Sequence, residues 1–362
     1  MRILLALGTS TGGVGRHVHD LAGGLIARGH EVVVAAPPEV EAQFDYAGLG
    51  ATSVALELTD RPHPTRDVRT GRVLREAAAD CDLVHAHGLR VGALGALALT
   101  GASTPLVVTL HNAAPSGRAG RAVHAALEQV VARRADLVLG VSSDLVRRQE
   151  QLGARRSALA VVPAATMPRI ARDRYAVRHE LGLEARTPLL VTIARLAPQK
   201  DLDLLLDAVA ILRNRHGLEL ASVVAGEGPL RQRLSARARA EALPVRFLGH
   251  RTDVADLLGA SDVVVSTARW EGQPVALQEA LHLGAAIVAT DAGGTADVVG
   301  DAALLVPVGD AETLASALAD VLRHGAVRDD LRSKAIHRSA ELPSLEHSID
   351  AVLTAYASLG VS

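Results

Sequence analysis

Short aliphatic runs alternate with amphipathic helical segments from one end of the chain to the other, and that alternation restricts it to parallel sheets wrapped by helices. The first runs fall at 2–7, 31–36, 51–56, 82–85, 105–109, 137–141 and 158–162. The pattern then restarts at 189–193, 219–225, 245–248, 263–266, 286–289 and 303–306. Between the two series, at 163–174, Pro163, Pro168 and several small or charged residues interrupt the periodicity. The fold class is therefore α/β, with one Rossmann-like domain over 1–167 and a second over 173–343. A length of 362 residues suits two cores of this size. Parallel sheets carry ligand sites at the carboxyl ends of their strands, so two such sheets facing each other would share a cleft.

The chain is 22% charged with a net charge of −2, and neither half is basic enough to suggest a nucleic-acid partner. Paired arginines at Arg133 and Arg134, Arg147 and Arg148, and Arg155 and Arg156 suit a solvated face better than an anionic acceptor or a lipid surface. Cys81 stands alone, which excludes a disulfide framework. With no leader pattern before the run at 3–7 and no apolar stretch long enough to span a bilayer, the expectation is a cytoplasmic protein whose membrane contact, if any, is peripheral.

Chemistry is concentrated in three loops. Gly8, Gly12, Gly13 and Gly15 lie between the first strand and its helix, where bare amides and the helix dipole favour a phosphate. Their spacing is not that of a dinucleotide fingerprint. The fourth residue after the strand-end Ile193-Ala194-Arg195 is Gln199, followed by Lys200, so two cations stand five residues apart where a diphosphate would fit. Lys200 is one of two lysines, the other being Lys334, in a chain that otherwise uses arginine. A compact ammonium at this place is therefore notable. The segment Trp270-Glu271-Gly272-Gln273-Pro274-Val275 leads to Glu279, placing two carboxylates eight residues apart around a helix start. If helical throughout, that spacing is roughly 12 Å, about the span from a sugar to a ribose across a diphosphate. Glu279 sits among Ala280, Leu281 and Leu283, where an unpaired charge is costly and hydroxyl donors would compensate it. His85 and His87 alternate on one strand, but no third and fourth ligand is visible, and no metal is expected. Trp270 either lines a pocket or packs beneath its loop.

Taken together, the Gly12-Gly13 loop, DLVHAHG at 82–88, TLHN at 109–112, ARLAPQK at 194–200, AGEGPL at 225–230, FLGH at 247–250 and EGQPVALQEAL at 271–281 resemble the family 4 retaining glycosyltransferases of GT-B fold. The likeness spans nearly the whole chain. It implies two facing Rossmann-like domains with a last helix, within 344–362, crossing back to the first. It also implies a nucleotide-sugar donor, UDP before GDP, with no cofactor. Arg195 and Lys200 would hold the diphosphate without a metal. Glu279 would take the ribose, and Glu271, Gly272, Gln273, Pro274 and Val275 would hold the transferred sugar, with Gly13 and Gly226 also on the donor side. His111 would face that sugar from the first domain. Gly12, Gly15, His87 and Asn112 would line an acceptor side whose glycan, lipid-linked or small-molecule ligand the sequence does not identify. The chain departs from the family at Ala164 and Ala165, where an Asn-Gly turn is usual, and at Asp297, which stands where a glutamate is common. A GT-B epimerase and an inactive GT-B partner protein are the rival readings.

Overall fold

The computed structural model describes residues 1–362 except 11, 60–62, 112–117, 164–167 and 362. The chain divides into two compact units, Met1–Pro163 with Pro343–Ser362, and Ala164–Leu342. In the first unit the strands are β1 (Arg2–Leu7), β2 (Glu31–Ala36), β3 (Thr52–Ala55), β4 (Leu83–His87), β5 (Leu106–Leu110), β6 (Leu137–Gly140) and β7 (Ser157–Leu159). They form one parallel sheet in the order β3-β2-β1-β4-β5-β6-β7. In the second unit β8 (Leu189–Ile193), β9 (Ala221–Ala225), β10 (Val245–Gly249), β11 (Val263–Ser266), β12 (Ile287–Thr290) and β13 (Ala303–Val306) form a parallel sheet in the order β10-β9-β8-β11-β12-β13.

Burial explains which runs became strands. Every residue of β4 and β5 is buried, because helices cover both faces of a parallel sheet and leave no polar side. The edge strands β3 and β7 are mostly exposed and correspondingly polar or short. β4 runs two residues past the expected stretch and includes His87, so both histidines of the His85-Ala86-His87 sequence are strand residues, 0% and 2% exposed.

Strand order reverses direction between β1 and β4 in the first unit and between β8 and β11 in the second. At these switch points the neighbouring loops diverge and leave a crevice outside the carboxyl ends, which is where ligands of such sheets bind.

The last helix, Leu345–Ala357, belongs to the first unit and packs on helix Gly13–Ala27. Ile349, Val352 and Tyr356 are buried in the first unit's core. Ile349 lies so close to Gly24 that a Cβ there would fall 1.9 Å from its Cδ1. Ile349→Ala should therefore destabilise the first unit by about 2–4 kcal/mol, as for other large-to-small core changes. Denaturant unfolding followed by probes in each unit should show the shift in the first unit's transition. A loss below about 1 kcal/mol would mean the terminal helix is not part of that core.

Candidate functional site

The second unit contains a cavity of about 600 Å³ at its switch point, formed by the ends of β8, β9 and β11 and the start of helix Val275–His282. Of the residues expected on the donor side, Arg195, Lys200, Gly226, Glu271, Gln273, Pro274, Val275 and Glu279 all line it. Gly272 is buried beside them without lining it. Gly13 lies on the first unit, where it is exposed.

Two loops bring the charges together. After β8 the chain makes a turn at Pro198–Lys200 and then takes a left-handed conformation at Asp201, φ 43°. This loop is tied to the one after β11 at four points. The Arg269 amide donates to the Gln199 carbonyl at 2.8 Å, and the Gln199 side-chain amide donates to the Trp270 carbonyl at 2.7 Å. The Thr267 hydroxyl donates to the Lys200 carbonyl at 2.8 Å, and Arg269 Nε donates to the buried Asp201 carboxylate at 2.9 Å. The consequence is an ion pair between Lys200 Nζ and Glu271, whose residue is 7% exposed.

Glycines set the approach of the other loops. Gly226 has φ 141°, and a Cβ there would fall 2.0 Å from the Ala194 carbonyl oxygen, so the β8 and β9 loops can touch only with glycine at this position. Gly293 plays the same part behind Glu271, where a Cβ would meet the Glu271 carbonyl at 2.2 Å and Trp270 Nε1 at 2.7 Å. Trp270 thus packs on Gly293 and does not line the cavity. Asp297 lies on helix Thr295–Val299, likewise outside the lining.

Arg195 is exposed, and among the described residues its guanidinium has no hydrogen-bond or ion-pair partner. Arg251 also lines the cavity, but Asp253 and Glu180 neutralise it, at 2.6 and 3.0 Å. The cavity therefore presents one free guanidinium and one ammonium that already has a carboxylate. Helix Val275–His282 adds its positive end: Leu277 and Gln278 donate to the Pro274 carbonyl, which leaves the Val275 and Ala276 amides without a main-chain acceptor among the described residues.

The helical measure of the carboxylate spacing fails. Pro274 caps the helix and does not begin it, so Glu271 is in the loop and only residues 275–279 are helical. That segment rises about 6 Å. Glu279 is half-buried one turn into the helix, and burial pushes its carboxyl above the ordinary value.

In the first unit His111 follows β5, and its Nε2 lies 3.4 Å from Nδ1 of His87. His17, on helix Gly13–Ala27, stands edge-on to both rings at 5.5 and 5.6 Å. Burial lowers the His17 pKa to about 4 and that of His85 to about 3, and holds His87 and His111 well below the ordinary value, with neighbouring imidazoles adding to the effect. His111 is consequently neutral near pH 7, a hydrogen-bonding group and not a cation. His87, expected on the acceptor side, is buried. Gly15 is also a packing residue: a Cβ there would meet the Phe44 ring at 2.2 Å, so it forms no wall. Gly12 is exposed with open space around it. Asn112 and the Ala164-Ala165 turn lie outside the described residues. Among the described residues, no three or more His, Cys, Asp or Glu side chains are arranged to hold a metal ion. No helix among them is long and apolar enough to cross a membrane. Arg148 pairs with the buried Glu128 at 3.2 Å, while Arg133, Arg134 and Arg155 border a surface depression with Asp136.

Sequence reasoning missed the Asp201–Arg269 pair and His17. The first joins residues 68 positions apart, and the second is one of 15 histidines with no local pattern to mark it.

Residues 173–338 match the glycosyl transferases group 1 family and residues 12–165 the glycosyl transferase 4-like domain. The chain is 31% identical to a D-inositol 3-phosphate glycosyltransferase of Geodermatophilus obscurus over 316 residues, 79% of this chain and 69% of that one. It is 30% identical to a phosphatidyl-myo-inositol mannosyltransferase of Mycolicibacterium smegmatis, covering 91% of this chain and 85% of that one. Among solved structures, Anabaena HepE in complex with UDP is similar with a TM-score of 0.79 at 21% identity, covering 99% of this chain and 100% of HepE. Parallel-sheet units, the charged cavity and these matches together define a glycosyltransferase enzyme of GT-B fold. The chain belongs to the glycosyl transferases group 1 family.

The buried carboxyl of Glu279 gives a pH-dependent test. A carboxyl whose folded value is raised contributes stability below the ordinary carboxylate range and loses it as pH rises through the raised value. Without nucleotide, Glu279→Gln should melt higher than the parent at pH 7, with the margin shrinking towards pH 4. Equal melting at pH 7 would show that ionising Glu279 carries no burial cost.

Proposed function

We propose that the enzyme is a retaining glycosyltransferase that moves a sugar from a nucleotide diphosphate, UDP before GDP, to an acceptor hydroxyl without a divalent cation. The observation that carries this reading is the convergence of Arg195, Lys200 and the open amides of Val275 and Ala276 on one cavity, with Glu271 and Glu279 on its walls. The bond from the anomeric carbon to the diphosphate breaks, and negative charge gathers on the leaving oxygen. Fixed cations and amides lower that barrier because they bind the charged transition state better than the intact donor. The acceptor hydroxyl attacks from the face the diphosphate leaves, and a phosphate oxygen takes its proton. Glu279 accepts from the ribose hydroxyls, which offsets the cost of its burial.

The Lys200–Glu271 pair adds a step that spacing alone did not suggest. An arriving diphosphate competes for Lys200, and the carboxylate it releases becomes an acceptor for the hydroxyls of the transferred sugar. UDP in the solved HepE complex supports the donor assignment, and the names of the relatives make inositol-bearing acceptors the first to try. Gly12 and Asn112 remain the proposed acceptor-side contacts on the first unit and His111 its proposed contact to the transferred sugar, and any association with a membrane surface is peripheral.

Turnover with excess EDTA should match turnover without it, and NMR of the product should show the anomeric configuration of the donor. Activity that EDTA abolishes and Mg²⁺ restores would refute the metal-free reading, and an inverted product the retaining one.

The two carboxylates should separate by their effects. Glu279→Gln should weaken free nucleotide and intact donor alike, by about tenfold or more, as expected for a lost hydrogen bond to a charged group. Glu271→Gln frees Lys200, so nucleotide should bind as well as before or better while kcat falls about a hundredfold. Calorimetry with nucleotide and steady-state kinetics read both. Equal weakening of nucleotide by the two variants would show the assigned roles to be wrong.

A further inference from the structure

A buried imidazole cluster packs around His111 in the first unit, and its hydrogen bonding is unevenly satisfied. His85 is fully engaged, with Nδ1 at 2.7 Å from the Tyr356 hydroxyl and Nε2 at 2.7 Å from the Thr109 hydroxyl. Its ring lies 4.1 Å from that of His87, centroid to centroid. His87 is satisfied on one side alone: Nδ1 faces Nε2 of His111 at 3.4 Å, while its own Nε2 is buried without a partner.

A neutral imidazole has one N–H and one lone pair, and the two nitrogens of His87 must divide them. A buried N–H with no acceptor is rarer in proteins and more costly than a lone pair with no donor. The orphaned Nε2 is therefore the bare nitrogen, and the proton sits on Nδ1. From there it can donate only to Nε2 of His111, which must then be a lone pair, so the proton of His111 is on Nδ1. His17 stands edge-on to both rings, and the His87 and His111 rings lie at 27° to each other, so the contact is held between packed surfaces.

We infer that His87 is a positioning residue that holds His111 as its Nδ1–H tautomer, so that His111 offers a sugar hydroxyl oxygen a hydrogen-bond donor and not a lone pair. An unconstrained neutral histidine favours the opposite tautomer in water, so the assignment makes a definite claim. It rests on the proposed role of His111 as the first unit's contact to the transferred sugar. Fixing the tautomer before the sugar arrives removes a reorganisation from the reaction, which is the usual work of a group standing behind a functional imidazole.

The test is a long-range ¹⁵N–¹H correlation on protein labelled in its imidazole nitrogens, at pH 7, with His111 assigned by the signals lost in His111→Asn. Wild-type protein should show His111 protonated at Nδ1 and bare at Nε2, and His87 likewise. His87→Leu should return His111 to the Nε2–H tautomer and lower kcat at least tenfold, with the donor KM changed less than threefold. His87→Asn, whose amide places an N–H near the former Nδ1, should restore most of kcat and the original tautomer. A wild-type His111 protonated at Nε2 overturns the tautomer assignment whatever the variants do. If the tautomer is as stated but His111→Ala turns over normally, the sugar-contact half of the inference fails with the reading it rests on, and the two failures are told apart.

Discussion

The tie between the loops after β8 and β11 is the constraint on which the donor cavity depends. Loops at the carboxyl ends of parallel strands have no ladder to hold them, yet an electrostatic site works only if its charges keep their places when substrate charge develops. Here Asp201, Arg269, Gln199 and Thr267 supply the missing ladder. Asp201 adopts a left-handed backbone that a residue with a side chain takes at some cost, and its buried carboxylate accepts from the exposed Arg269. Arg195 can then stay unpaired at the rim because its own loop is fixed from below by Leu196, whose amide donates to the Glu227 carbonyl at 2.9 Å and whose carbonyl accepts from Leu230 at 3.0 Å.

Strand positions were legible because a parallel sheet covered on both faces demands short aliphatic runs between amphipathic segments. Their ends were less so. His85 and His87 look polar, and only the burial of β4 on both faces shows them to be strand interior. The cations of the donor cavity were legible for a compositional reason: in a chain with two lysines, the one beside a strand end stands out. The carboxylate geometry was not, since Pro274 fits a cap as well as a first turn, and choosing the turn converts a loop into helix. Contacts such as His85 with Tyr356, 271 residues apart, carry no local signal of any kind.

Glycine shows the same divide between composition and position. Gly12, Gly13 and Gly15 read alike in sequence, but the first two are exposed with open space about them while Gly15 is pressed against Phe44 and its carbonyl accepts from the Tyr46 hydroxyl at 3.1 Å. A glycine-rich segment can therefore hold an exposed part and a packing part within four residues, and only the packing partner distinguishes them.

The two units differ in the electrostatics of their clustered side chains. In the second, Arg195 is exposed and Lys200 pairs with the carboxylate of Glu271. In the first, buried imidazoles stand together without charge. Burial achieves this for all four histidines at once: each ring desolvates its neighbours, and protonating any one raises the cost of protonating the next. With His17 titrating at about 4 and His85 at about 3, the cluster stays uncharged through the physiological range. Four histidines packed together thus act as a fixed neutral scaffold, and what varies among them is not charge but which nitrogen carries the proton.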